Sequence, residues 1–141
     1  MSFAVEIPFV NLLGFQLTHF ENGESAITYR RRPEHQNSFG VAHGGAVMTL
    51  MDVTMATAAR SVAPDMGVVT IEMKTSFMRP APGDGSPLTG RGRLMHRTNS
   101  MAFAEATLYD SRDQACAHAT GTFKYVKREE SKGRTASIST D

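Results

Sequence analysis

Between Val41 and Ala59 the chain carries a single acid, Asp52, and no lysine or arginine. Around it, Val47, Leu50, Met51, Thr54, Met55 and Ala58 follow the i, i+3, i+4, i+7 spacing of an apolar helix face. Met48, Ala56 and Ala59 leave the opposite face hardly more polar, the pattern of a helix buried on all sides. A carboxylate taken out of water without a partner is costly, so Asp52 needs a reason to be there. It is either a structural aspartate, bonded to backbone or to a buried arginine, or a catalytic base or nucleophile whose pKa is raised by its apolar surroundings. Gly44 and Gly45, at the head of the same run, bear on the choice. They lack side chains, so a ligand atom can approach their backbone N–H groups. Those groups are unpaired at a helix N-terminus and lie at the positive end of its dipole, a place for an oxyanion.

Spacing constrains how these groups could work together. Asp52 follows Gly44 by eight residues, roughly 12 Å of rise along one straight helix. A carboxylate cannot reach across that gap to a carbonyl held at its own helix's N-terminus. If both act on one substrate, Asp52 must come from a second copy whose helix runs antiparallel. Other chemistries find less support. His19, His35, His43, His96 and His118 show no metal-ligand spacing, and one cysteine supplies no zinc set. Ser25 and Ser86 lack a G-x-S-x-G context, and no P-loop or dinucleotide fingerprint is present.

The elements that must position these residues are legible in outline. Residues 2–14 are apolar with a break at Pro8, reading as a short strand or turn and a short helix. Runs 15–21 and 25–31 read as strands flanking the Glu21-Asn22-Gly23-Glu24 turn. A loop over 33–40 leads into the helix, which extends to about Ala63 and is closed by Pro64. Four further strands are expected at 67–78, 88–96, 101–110 and 115–126, separated by turns at 82–85, 98–100 and 111–113. Alternation places Ala102, Ala104 and Ala106 on one side of the third of these. It likewise aligns Ala115, Ala117, Ala119 and Gly121 in the fourth. Small residues in facing rows let a helix lie close, which predicts an α+β fold with one antiparallel sheet curled around one buried helix.

Size and composition agree with a single domain. The 141 residues suffice to bury about two-thirds of the extended-chain surface. Residues 1–126 form the expected domain, and 127–141, rich in Ser, Thr, Lys and Glu, an expected disordered tail. A net charge of +1 implies no strong attraction to nucleic acid or membrane. The lone Cys116 excludes an internal disulfide and fits a reducing, cytoplasmic setting; a buried inert thiol is the default for it. The first lysine or arginine is Arg30, unlike the start of a secretory signal, and no apolar run approaches a membrane span.

Asn37-x-x-Gly40-x-x-His43-Gly44-Gly45, followed by Asp52 nine residues after the histidine, resembles the hotdog-fold acyl-CoA thioesterases of the phenylacetate-degradation type. The segments 67–81 and 119–126 resemble that family's strand after the helix and its last strand, so the likeness covers roughly residues 11–126. The resemblance implies hydrolysis of an acyl-CoA thioester in a homodimer with shared sites, or a dimer of dimers, with no metal or redox cofactor. It implies that the Gly44 N–H polarises the carbonyl and Asn37 orients the thioester or the water. His43 props the glycine loop, with Gly40 and Gly45 beside the substrate. Asp52 of the other copy activates water or attacks directly, and Thr70, otherwise an ordinary strand residue, positions the water. CoA phosphates need cationic or N–H donors, for which Arg91, Arg93, Arg97 and Lys124 are candidates, exposed strand charges being the equal alternative. Two other functions fit a hotdog domain: an acyl-CoA-binding module without catalysis, which would not require a buried acid, and an enoyl-CoA hydratase using His43 as a base.

Overall fold

The computed structural model describes residues 1–82 and 84–128. Helix α1 (Pro8–Leu13) starts on its proline, whose missing N–H costs nothing at a helix start, and ends on Gly14 in the left-handed region. Among the described residues no strand precedes it; the apolar residues Phe3 and Ile7 pack against the core as irregular chain. Strands β1 (Gln16–Glu21) and β2 (Glu24–Tyr29) form the expected hairpin, with Asn22 and Gly23 both at positive φ as a tight two-residue turn requires. After a 3-10 turn (Pro33–His35) comes helix α2 (Gly44–Arg60). It ends three residues before the expected limit, where the Ser61 hydroxyl donates to the Ala58 carbonyl at 2.7 Å. Strands β3 (Met66–Phe77), β4 (Leu88–Arg97), β5 (Met101–Tyr109) and β6 (Ala115–Lys127) complete the chain within two residues of the expected bounds. The expected tail lies outside the described residues from position 129 onward.

All six strands pair antiparallel in the order β1-β2-β4-β5-β6-β3, so α2 is followed by a strand that crosses to the far edge. The sheet curls around α2, the hotdog fold. Small residues make that approach possible. Ala102, Ala104, Ala106, Ala117 and Ala119 are buried, and a Cβ on Gly92 would stand 2.6 Å from the Thr54 carbonyl oxygen. Ala115 departs from its expected row because a register shift against β5 lets Cys116 and Ala117 both turn inward. Hydroxyls buried under the helix are satisfied: Ser25 donates to the Thr54 carbonyl, Thr54 to Leu50, and Tyr125 to Ala59.

Helix α2 is not enclosed on every side within one chain. Ala59 is fully buried, but Met48 is 39% exposed, and Asp52, Val53 and Ala56 are half-buried. Beside this open stripe runs the edge strand β3, where Ile71, Phe77 and the following Met78 are each 53% exposed.

Candidate active site

Loop 35–43 folds back on itself as a short ladder. The His43 N–H donates to the His35 carbonyl at 2.9 Å, Gln36 bridges Ala42, and the Asn37 N–H donates to Val41 at 2.8 Å. Gly40 closes the turn at φ +74°, a conformation that favours glycine. The Asn37 side-chain oxygen accepts from the Phe39 and Val41 N–H groups at 2.8 and 3.3 Å. That oxygen is committed to the loop, so the Asn37 NH2 group remains free to donate to a ligand. It has no acceptor among the described residues.

His43 caps α2. Its Nδ1 accepts the Gly45 N–H at 2.8 Å, and its carbonyl accepts from Ala46 and Val47. The imidazole is thereby committed to the helix start, and Gly45 offers no donor to a ligand. The Gly44 N–H, one residue earlier, has no partner among the described residues and sits at the positive end of the helix. Asn37 and Gly44 share a cavity of about 600 Å³. Val41, Val47, Leu108 and Ala117 supply much of its apolar wall, and Phe77 and Met78 lie at its edge.

Asp52 lies two turns further along α2 and does not line that cavity. Its Oδ1 accepts the Thr70 hydroxyl at 2.6 Å. Burial pushes its pKa above the ordinary aspartate value, and the Thr70 hydrogen bond offsets part of that shift. Thr70 points to the helix because of where it sits in β3. The pairing with β6 shifts between Thr70 and Glu72, leaving Ile71 as an extra residue. The bulge switches which residues face inward: Val68 and Thr70 before it, then Met73 and Phe77, the latter's ring 3.6 Å from where a Cβ on Gly44 would stand. An unpartnered donor therefore stands at the start of α2 and a carboxyl group in its middle.

The thioesterase superfamily matches residues 39–117, from the glycine loop into β6. The chain belongs to the thioesterase superfamily. It is similar to a provisionally named esterase of Saccharolobus solfataricus, 28% identical over 116 residues that cover 82% of this chain and 81% of that protein. In fold it is similar to the PaaI protein of the phenylacetic acid degradation operon of Escherichia coli, with a TM-score of 0.80 and 19% identity over 86% of each chain. A Streptococcus mutans protein solved with acetyl CoA bound has a TM-score of 0.73 and 24% identity, covering 82% of this chain and 91% of that one. Membership of the thioesterase superfamily makes this chain a hydrolase of thioesters or esters.

Within this superfamily member the basic residues singled out in the sequence stand apart from the cavity. Arg91 and Arg93 line a separate groove with His19, Glu24 and Glu105, and Arg93 is paired with Glu105. Arg97 lies over the Tyr125 ring, 4.5 Å from its centre, and Lys124 is exposed on β6. The cation that does line the cavity is Arg79, in the turn after β3, held by Asp110 at 2.8 Å and Gln114 at 2.5 Å. Sequence reasoning missed it because only the pairing of β3 with β6 carries residue 79 to that wall. Among the described residues no group of three or more His, Cys, Asp or Glu could hold a metal ion. Nor is any described helix long and apolar enough to cross a membrane.

Proposed function

We propose that this protein hydrolyses acyl-CoA thioesters to a free acid and CoA in sites shared between two copies of the chain. The observation that carries this reading is the separation of the half-sites. The cavity that holds the free Gly44 N–H and the Asn37 NH2 has no acid among its described lining residues, while the half-buried Asp52, bonded to the exposed Thr70, lies on the open stripe of the same helix. A second copy docked on that stripe in antiparallel sense would bring its Asp52 to the donors, and the apolar edge around Ile71 and Phe77 supplies surface for the contact. The acetyl CoA in the Streptococcus mutans relative supports a CoA thioester as substrate.

In this mechanism the Gly44 N–H and the helix dipole stabilise the oxyanion that forms on the thioester carbonyl, worth on the order of a hundredfold or more. Asn37, with its oxygen committed to the loop, donates to the thioester. Thr70 occupies one oxygen of Asp52, leaving the other to take a proton from water as it attacks the carbonyl carbon. The C–S bond then breaks, and the thiolate leaves and recovers a proton as CoA thiol. In the variant of this route Asp52 attacks directly, giving an anhydride that water opens. No metal or redox cofactor takes part, and a reducing, cytoplasmic setting fits the lone cysteine. A hydratase built on His43 is disfavoured because its Nδ1 is already an acceptor for Gly45. The cavity suits a mainly apolar acyl group, medium-chain or aromatic.

The test is release of free thiol across a panel of acyl-CoAs, run beside simple oxygen esters and an enoyl-CoA. Preferential thiol release is the expected result. Binding of acyl-CoA without turnover would establish the binding module instead, and hydration of the enoyl-CoA with no thiol release would establish the hydratase.

A further inference from the structure

One histidine that the proposed chemistry leaves unused lies beneath the donor loop. His35 forms the base of the ladder whose two rails carry Asn37 and Gly44: its carbonyl accepts the His43 N–H at 2.9 Å, and the next residue bridges Ala42. Its ring is tied to the core rather than to solvent. The Tyr29 hydroxyl lies 2.6 Å from His35 Nδ1, and the Arg32 N–H reaches the same nitrogen at 3.3 Å. A backbone N–H can only donate, so Nδ1 is an unprotonated acceptor and the tyrosine hydroxyl donates to it. Tyr29 is 1% exposed, packs edge-on against Phe15 with ring centres 5.0 Å apart, and stacks on His35 at 5.7 Å. Burial holds its hydroxyl in the protonated, donating form, against the opposing charges of Arg31 and Arg32.

We propose that His35, held by Tyr29, is a positioning residue for both substrate-side donors, coupling the rigid β2 strand to the ladder that presents Asn37 and Gly44. The role rests on the acyl-CoA reading for its catalytic consequence, though not for its structural one. The Gly44 N–H belongs to the peptide after His43, and its direction follows from the His43 backbone, φ −61° and ψ 137°. The first hydrogen bond upstream of that peptide is the one from the His43 N–H to His35. A displacement of about 1 Å in a donor aimed at a transition state can cost around a hundredfold in rate while leaving ground-state binding in place.

Three variants test this: Tyr29→Phe, which deletes only the hydroxyl; His35→Leu, which removes the ring acceptor; and His35→Asn, which returns an acceptor close to the Nδ1 position. Each is measured by steady-state thiol release and by the amide spectrum of protein labelled with nitrogen-15 at its 12 glycines. Tyr29→Phe and His35→Leu are expected to lower kcat roughly tenfold to a hundredfold, with KM within about threefold. The Gly44 amide should be displaced while Gly92 and Gly121, under the helix, stay in place, and His35→Asn should recover most of both. Unchanged kcat and an unmoved Gly44 amide in Tyr29→Phe overturn the proposal. So does an equal loss in the Leu and Asn variants that follows the thermal midpoint alone. Should His35→Leu fail to fold, Tyr29→Phe decides. If the wild type cleaves no acyl-CoA, the substrate reading falls, and the Gly44 amide alone decides the positioning role, a displaced signal upholding it and an unmoved one ending it.

Discussion

Asp52 is half-buried, its ionised form is disfavoured by burial, and its side-chain partner among the described residues is the Thr70 hydroxyl. A carboxyl whose folded pKa is raised favours the fold when protonated. That contribution is complete below the unfolded value of about 3.9 and is lost as pH rises through the folded value. At neutral pH Asp52 is therefore a net cost to stability. Asp52→Asn should raise the thermal midpoint at pH 7, with the gain shrinking towards pH 4, when both proteins are melted across that range. The same variant should lower turnover by about 10²–10⁴-fold, as expected for removal of a general base. The acid limb of kcat/KM in the wild type should have its midpoint above the ordinary aspartate value. A lower midpoint at pH 7 together with near-normal kcat would assign Asp52 to structure. Asn37 calls for a different substitution. Alanine would delete the oxygen that holds Phe39 and Val41 as well as the NH2 group, whereas Asn37→Asp keeps that acceptor oxygen and replaces the NH2 donor with a second carboxylate oxygen, adding a negative charge beside the Gly44 N–H. We expect Asn37→Asp to cost about 10²–10³ in kcat with little change in thermal midpoint, and full activity would remove Asn37 from the site.

The alanines of β5 and β6 show how much of the fold could be read at the level of elements. Period-two alternation in a strand needs only local sequence, so the rows that accept α2 were visible, as were the loop glycines and the helix start. The bulge at Ile71 was not, because it is decided by the register of β3 against β6, some fifty residues away, and the local run Thr70-Ile71-Glu72 alternates without a mark of the extra residue. The same long-range pairing hid the cavity position of Arg79. Thr70 could be marked from the family likeness, but its contact with Asp52 depends on the bulge that reverses the inward face immediately after it. Close packing under the helix predicts intolerance to even one methyl group. A Cβ on Gly92 would meet the Ser25 hydroxyl and the Thr54 carbonyl, both at 2.6 Å, and the second is backbone that cannot swing aside. Gly92→Ala should destabilise by about 1–3 kcal/mol in chemical denaturation. An unchanged midpoint would mean that helix and sheet separate more easily than their packing implies.

At the scale of the whole molecule, one chain does not join the two proposed half-sites, since Asn37 and Gly44 line the cavity and Asp52 with Thr70 does not. The exposed apolar residues of β3 and the open stripe of α2 lie together, as a pairing surface would require. Suppose each site takes Asn37 from one chain and Asp52 from the other. Homodimers of Asn37→Asp and of Asp52→Asn should then each be nearly inactive. Unfolding the two variants together and refolding them makes mixed dimers in which one site carries both lesions and the other carries neither. Random assortment leaves about half the dimers mixed, so activity should recover to roughly a quarter of the wild type. A dimer of dimers gives the same fraction when only the primary interface forms sites. If both residues acted within one chain, every site would keep its single lesion and mixing would restore nothing. Size exclusion of the refolded mixture separates that outcome from failed reassembly. A wild-type protein that is monomeric and fully active at assay concentration would rule out the shared site, because no second chain would then be present to supply Asp52.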